Sequence, residues 1–123
     1  MAHILVVDDS KSMREAISRI LMNADHEVAT ASDGDQALDM AKQTVYDMVL
    51  SDIYMPGKTG IALVALLRRL DGYRNIPILL ITTENSKHMK EKSRNLGANG
   101  WLTKPIDSTR LLTAVNKTFQ KFQ

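Results

Sequence analysis

A chain of 123 residues, 44% hydrophobic and 24% charged, has the size of one globular domain with material for a two-sided core. It contains no cysteine, which excludes disulfides and thiolate metal centres and agrees with a reducing cytoplasm. The formal net charge of +2 hides an uneven distribution, because ten of the 14 acids but only five of the 16 bases precede residue 61.

Residues 3–7 read as the first strand, since Ile4, Leu5, Val6 and Val7 form an unbroken apolar run of the kind covered on both faces. This start has no basic n-region and meets Asp8 and Asp9 at once, so no signal peptide is expected. No apolar run reaches membrane-spanning length either. Ser12 and Glu15 have capping-box spacing, which predicts a helix opening at Ser12 and burying Met13, Ile17, Ile20 and Leu21. Residues 28–31 predict a weaker second strand. Asp33-Gly34-Asp35-Gln36 then opens a helix through Ala37, Leu38, Met40 and Ala41.

Residues 48–50 predict the third strand, followed by a Pro56-Gly57 turn and a helix carrying Ile61, Leu63, Val64, Leu66 and Leu67. Residues 78–81 predict the fourth strand. A polar helix follows and stops at Leu96-Gly97, where glycine supplies a left-handed residue. Residues 100–103 predict the fifth strand, and Asp107 or Ser108 caps a last helix burying Leu111, Leu112, Val115 and Phe119. Met13, Met22, Met40 and Met48 fall in apolar patterns and are expected as core filler. His3, His26 and His88 share no ligand spacing.

No linker or repeat interrupts this series, so residues 1–123 read as one doubly wound α/β domain with a five-stranded parallel sheet. Right-handed crossovers bring the strand ends to one edge of such a sheet. Four fragments then converge there: Val6-Val7-Asp8-Asp9, Ser51-Asp52, Thr82-Thr83-Glu84 and Lys104-Pro105. Clustered carboxylates repel, and a hard divalent cation with oxygen ligands relieves the repulsion. With an ammonium and a hydroxyl beside it, the site is suited to a phosphoryl group next to a metal. Lys87, Lys90, Lys92 and Arg94 form a basic stretch without interleaved aromatic residues. It reads as a solvated face and a protein-docking surface rather than a nucleic-acid site.

The chain resembles a receiver domain of two-component response regulators over essentially its whole length, most of all the free-standing chemotaxis type. The residues carrying the likeness are Val6-Val7-Asp8-Asp9-Ser10, Ser51-Asp52-Ile53-Tyr54-Met55-Pro56, Gly60, Ile81-Thr82-Thr83-Glu84, Gly97-Ala98 and Lys104-Pro105. The resemblance implies a flavodoxin-like fold with strand order 2-1-3-4-5. It implies Asp52 as phosphoacceptor and Mg²⁺ held by Asp9, Asp52 and the Tyr54 backbone carbonyl, with Asp8 acting through water. Thr82 and Lys104 would contact the phosphoryl group, the latter preceding a cis proline, and Trp101 would be the switching aromatic. Tyr54 and Glu84 would flank the path of hydrolytic water. A histidine kinase, an output protein such as a flagellar motor switch component, and a phosphatase are the implied partners, with no nucleic acid or membrane. The implied protein is a cytoplasmic monomer that assists its own phosphorylation and is not an enzyme acting on other substrates.

Other readings remain beside this one. A phosphorelay shuttle would pass the phosphoryl group to a second histidine, and a docking-only receiver would never be phosphorylated. A haloacid-dehalogenase-type phosphohydrolase needs Asp-x-Asp where this chain has adjacent Asp8 and Asp9. An FMN binder needs a Ser/Thr/Gly-rich phosphate loop at the same place. One departure from the receiver pattern stands out in Met55-Pro56-Gly57-Lys58-Thr59-Gly60. Relatives usually carry an acid before that last glycine, and here Lys58 adds a cation near the site.

Overall fold

Apolar continuity sorts the strands into centre and edge. In the computed structural model, which describes residues 1–83 and 85–121, β1 (His3–Val7), β3 (Met48–Ser51) and β4 (Ile78–Thr82) are buried almost throughout. β2 (Glu27–Ala31) and β5 (Gly100–Thr103) keep exposed or half-buried positions. All pairings are parallel and the order is β2-β1-β3-β4-β5, so the buried strands occupy the middle and the others the edges.

Alternate residues of each strand feed two cores. Leu5, Val7, Val49, Ile78 and Leu80 face one side, covered by α2 (Gly34–Gln43), α3 (Gly60–Leu67) and, at its margin, α4 (Lys87–Asn95). Ile4, Val6, Leu50, Leu79 and Ile81 face the other, covered by Ile17 and Leu21 of α1 (Lys11–Asn23) and by Leu111 and Val115 of α5 (Ser108–Gln120). No helix among the described residues is long and apolar enough to cross a membrane.

Local chemistry starts each helix. Asp33, Thr59, Ser86 and Asp107 cap α2 to α5 by accepting from backbone amides in the first turn. The capping box expected at Ser12 does not form. Helix α1 begins one residue earlier, at Lys11, with Ser10 as its cap accepting from the Met13 amide, and Glu15 lies beside Lys11 instead. Met22 is another correction: it is 55% exposed, on the outer face of α1, and fills no core.

Two long-range clamps were invisible in the sequence pattern. Tyr73 is fully buried, donates its hydroxyl to the Thr44 carbonyl at 2.8 Å and accepts from the Tyr46 amide at 3.1 Å. Arg68, at the end of α3, donates to the carbonyls of Tyr73, Ile76 and Gly97 and to Asn99 Oδ1. These bonds tie the α3–β4 connection to the start of β5.

Candidate functional site

The register of the central strands places the first two acids side by side. Val7 pairs with Ser51, so Asp8 and Asp52 emerge together at the carboxyl edge of β1 and β3. The Asp52 amide still donates to the Val7 carbonyl at 2.9 Å and the Asp8 amide to Ala31 at 3.1 Å, so both backbones remain held by the sheet. Asp8 and Asp52 are buried, while Asp9 is exposed at the rim. One oxygen from each of these three carboxylates lies within 4.8 Å of the others.

Lys104 reaches this cluster from the end of β5. Its Nζ stands 3.2 Å from Asp8 Oδ2 and 3.2 Å from Asp52 Oδ2. The remaining oxygens of those acids accept backbone amides: Asp8 Oδ1 from Ser10 at 2.9 Å, and Asp52 Oδ1 from Ile53 at 2.8 Å. Asp8 therefore belongs to a turn ahead of α1 without being its cap. Arg14 donates to the Asp8 carbonyl at 2.7 Å and Ser51 Oγ to the Asp52 carbonyl at 2.8 Å, which fixes the main chain under each acid.

Electrostatically the cluster is short of positive charge. Burial raises the Asp52 carboxyl above its ordinary range; the Lys104 charge opposes this, Asp8 adds to it, and the net shift is upward. Burial alone would lower the Lys104 ammonium, but the Asp52 charge and the bond and charge of Asp8 outweigh it and raise it. One ammonium serves two buried carboxylates, with Asp9 unpaired by any Lys or Arg among the described residues. The donors are all oxygens, the kind Mg²⁺ prefers, and the surplus negative charge favours such a cation.

Residues 53–59 run from the end of β3 to α3. Tyr54 is about half exposed beside the phosphoacceptor candidate, and Met55 is buried. Gly57 takes φ +80°, and Thr59 caps α3 in place of the acid that the receiver pattern carries there. Lys58 does not turn toward the acidic cluster; its ammonium pairs with Asp35 in the first turn of α2. Gly60 has a packing reason for its identity, since a Cβ there would lie 2.1 Å from the Asp52 carbonyl oxygen.

Thr82 is the last residue of β4 and fully buried, whereas Thr83 is exposed. Lys104 donates its amide to the Thr82 carbonyl at 2.9 Å, joining the two strand ends, and the Lys104–Pro105 bond is cis. Trp101 pairs with Leu80, is half-buried against the α2–α3–α4 core, and borders a cavity of ≈ 120 Å³ with Lys90, Ser93 and Arg94. Glu84 lies outside the described residues. Ser10, Arg14 and Ser51 support Asp8 and Asp52 through contacts that no local sequence pattern signals.

Comparison with known proteins agrees with this geometry. Residues 4–116 match the response regulator receiver domain family. The chain is 34% identical over 116 residues to protein PilH of Pseudomonas aeruginosa, covering 94% of this chain and 96% of that one. It is similar to the solved structure of the Vibrio cholerae chemotaxis protein CheY4, with TM-score 0.93, 41% identity, and 96% and 98% of the two chains covered. The receiver domain of the sensor histidine kinase PA1611 from Pseudomonas aeruginosa, solved with a magnesium ion coordinated in its active-site cleft, aligns with TM-score 0.87. It is 26% identical, with 95% and 96% of the chains covered.

Proposed function

The chain belongs to the response regulator receiver family, and we propose that it is a phosphorylated switch whose acceptor is Asp52. A carboxylate oxygen of Asp52 attacks phosphorus, a P–O bond forms, and the bond from phosphorus to the imidazole nitrogen of a histidine kinase breaks. The product is an acyl phosphate on Asp52. Asp9, Asp52 and the Tyr54 carbonyl would hold Mg²⁺, with Asp8 acting through water, and the ion would neutralise charge on the phosphoryl oxygens. The observation that carries this reading is the Lys104 ammonium placed 3.2 Å from both Asp8 and Asp52 in a three-carboxylate cluster.

After transfer, Lys104 exchanges its carboxylate contacts for a phosphoryl oxygen, a role suited to a compact ammonium on a flexible stem. Thr82 donates its hydroxyl to the same group. Trp101 then moves inward and shifts the population of the α4–β5–α5 face. Tyr54 and Glu84 tune hydrolysis, Tyr54 by shielding the acyl phosphate from water. The protein acts in the cytoplasm on itself and on protein partners: a kinase, a phosphatase, and an output protein such as a flagellar motor switch component. The likeness to chemotaxis protein CheY4 favours an output in chemotaxis over a phosphorelay shuttle.

The deciding experiment is incubation with Mg²⁺ and a small acyl-phosphate donor, reading intact mass and Trp101 fluorescence together. One added phosphoryl group is expected, absent from Asp52→Asn, with a fluorescence change that accompanies it. A folded, metal-loaded protein that takes no phosphoryl group would be a docking-only receiver.

A further inference from the structure

The loop between β3 and α3 presents the Tyr54 carbonyl assigned above to the metal, so what fixes this loop bears on the site. Its end is held by the Thr59 cap and by the Gly60 amide, which donates to the Ile53 carbonyl at 2.8 Å. Met55 buries its side chain nearby. Beyond Gly57 the loop crosses the amino end of α2. There Gly34 is buried, and a Cβ on it would meet Lys58 Cβ at 2.8 Å. Lys58 continues to its ion pair with Asp35, an acid itself favoured in the first turn of a helix.

We propose that Lys58 and Asp35 are positioning residues, their ion pair over Gly34 holding the Tyr54–Thr59 loop against α2 and thereby setting the affinity for Mg²⁺. The inference rests on the metal reading of Asp8, Asp9 and Asp52 given above. It separates cleanly from a bare charge effect. If Lys58 acted only as a nearby cation, removing it would strengthen Mg²⁺ binding. If it acts by holding the loop, removing either partner weakens binding by a similar factor.

The test is calorimetric titration of the full chain with MgCl₂, paired with urea denaturation in EDTA. Lys58→Met and Asp35→Asn are each expected to weaken Mg²⁺ binding about two- to fivefold, the range open to a partly exposed ion pair. The double variant should be no weaker than either single one, because both remove the same contact. Lys58→Arg should restore near-normal affinity. Tighter or unchanged binding in Lys58→Met overturns the inference while leaving the metal site intact. Effects that add in the double variant also overturn it. A folded wild-type protein that takes no Mg²⁺ would remove the metal reading itself.

Discussion

Alanine at position 60 should destabilise this protein, although α-helices prefer alanine to glycine by about 0.5–1 kcal/mol. Gly60 opens α3 and is not among the glycines with positive φ, so backbone conformation alone does not demand it. Space does. A Cβ there would lie 2.1 Å from the Asp52 carbonyl oxygen and 2.9 Å from both the Asp52 carbonyl carbon and Ile53 Cα. All three obstacles are main chain, so none can rotate aside. Relieving the clash means moving the start of α3 by roughly 1 Å, an overpacking cost of about 1–3 kcal/mol. That movement also stretches the 2.8 Å bond from the Gly60 amide to the Ile53 carbonyl, worth about 1 kcal/mol. After the helix preference is subtracted, the net loss is about 1–3 kcal/mol. Urea denaturation of Gly60→Ala should show a midpoint lowered by about 0.5–2 M. Phosphorylation from a small donor should slow by about tenfold or more, since the main chain under Asp52 shifts with the helix. A midpoint equal to or above wild type would refute the reasoning, for it would show that this approach of helix to strand end yields without cost.

Lys104→Met leaves two buried carboxylates without their ammonium, and should cost about 1–3 kcal/mol at neutral pH in EDTA; an unchanged urea midpoint would contradict this. Asp52 makes a separate pH prediction. Its folded pKa is raised, so its ionisation costs the fold nothing below the ordinary carboxylate pKa and the full amount above the raised one. Metal-free wild type should therefore lose stability relative to Asp52→Asn as pH climbs through that window, and a difference constant with pH would count against it. Lys104 is raised as well, and its contribution should persist below the ordinary ammonium pKa and vanish as pH rises through the folded one. Tyr73→Phe strands the buried Tyr46 amide and frees the Thr44 carbonyl, so an unfolding measurement should show a loss of about 1–3 kcal/mol.

Much of the fold and the candidate site lay in local sequence. Ile4 to Val7, Met48 to Leu50 and Ile78 to Ile81 announce buried parallel strands because each apolar run must be covered on both faces. Amphipathic helices between them allow one handed winding, and that winding alone sends Asp8, Asp9, Asp52, Thr82 and Lys104 to the same edge. The helix start at Asp33 and a cap at Asp107 or Ser108 were legible, because a cap bonds within its own first turn, and the structure takes Asp107. Where two local signals competed, the neighbouring turn decided: Asp8 takes the Ser10 amide, and α1 starts at Lys11 under a Ser10 cap and not at Ser12. Only the tertiary structure could decide the destination of Lys58, the closeness of Gly60 to the Asp52 carbonyl, and the clamps made by Arg68 and Tyr73. Each of these joins segments far apart or backbones whose separation no periodicity encodes. Hydrophobic pattern and capping act over a few residues, whereas ion pairing and close packing depend on distances that exist only once the layers have met.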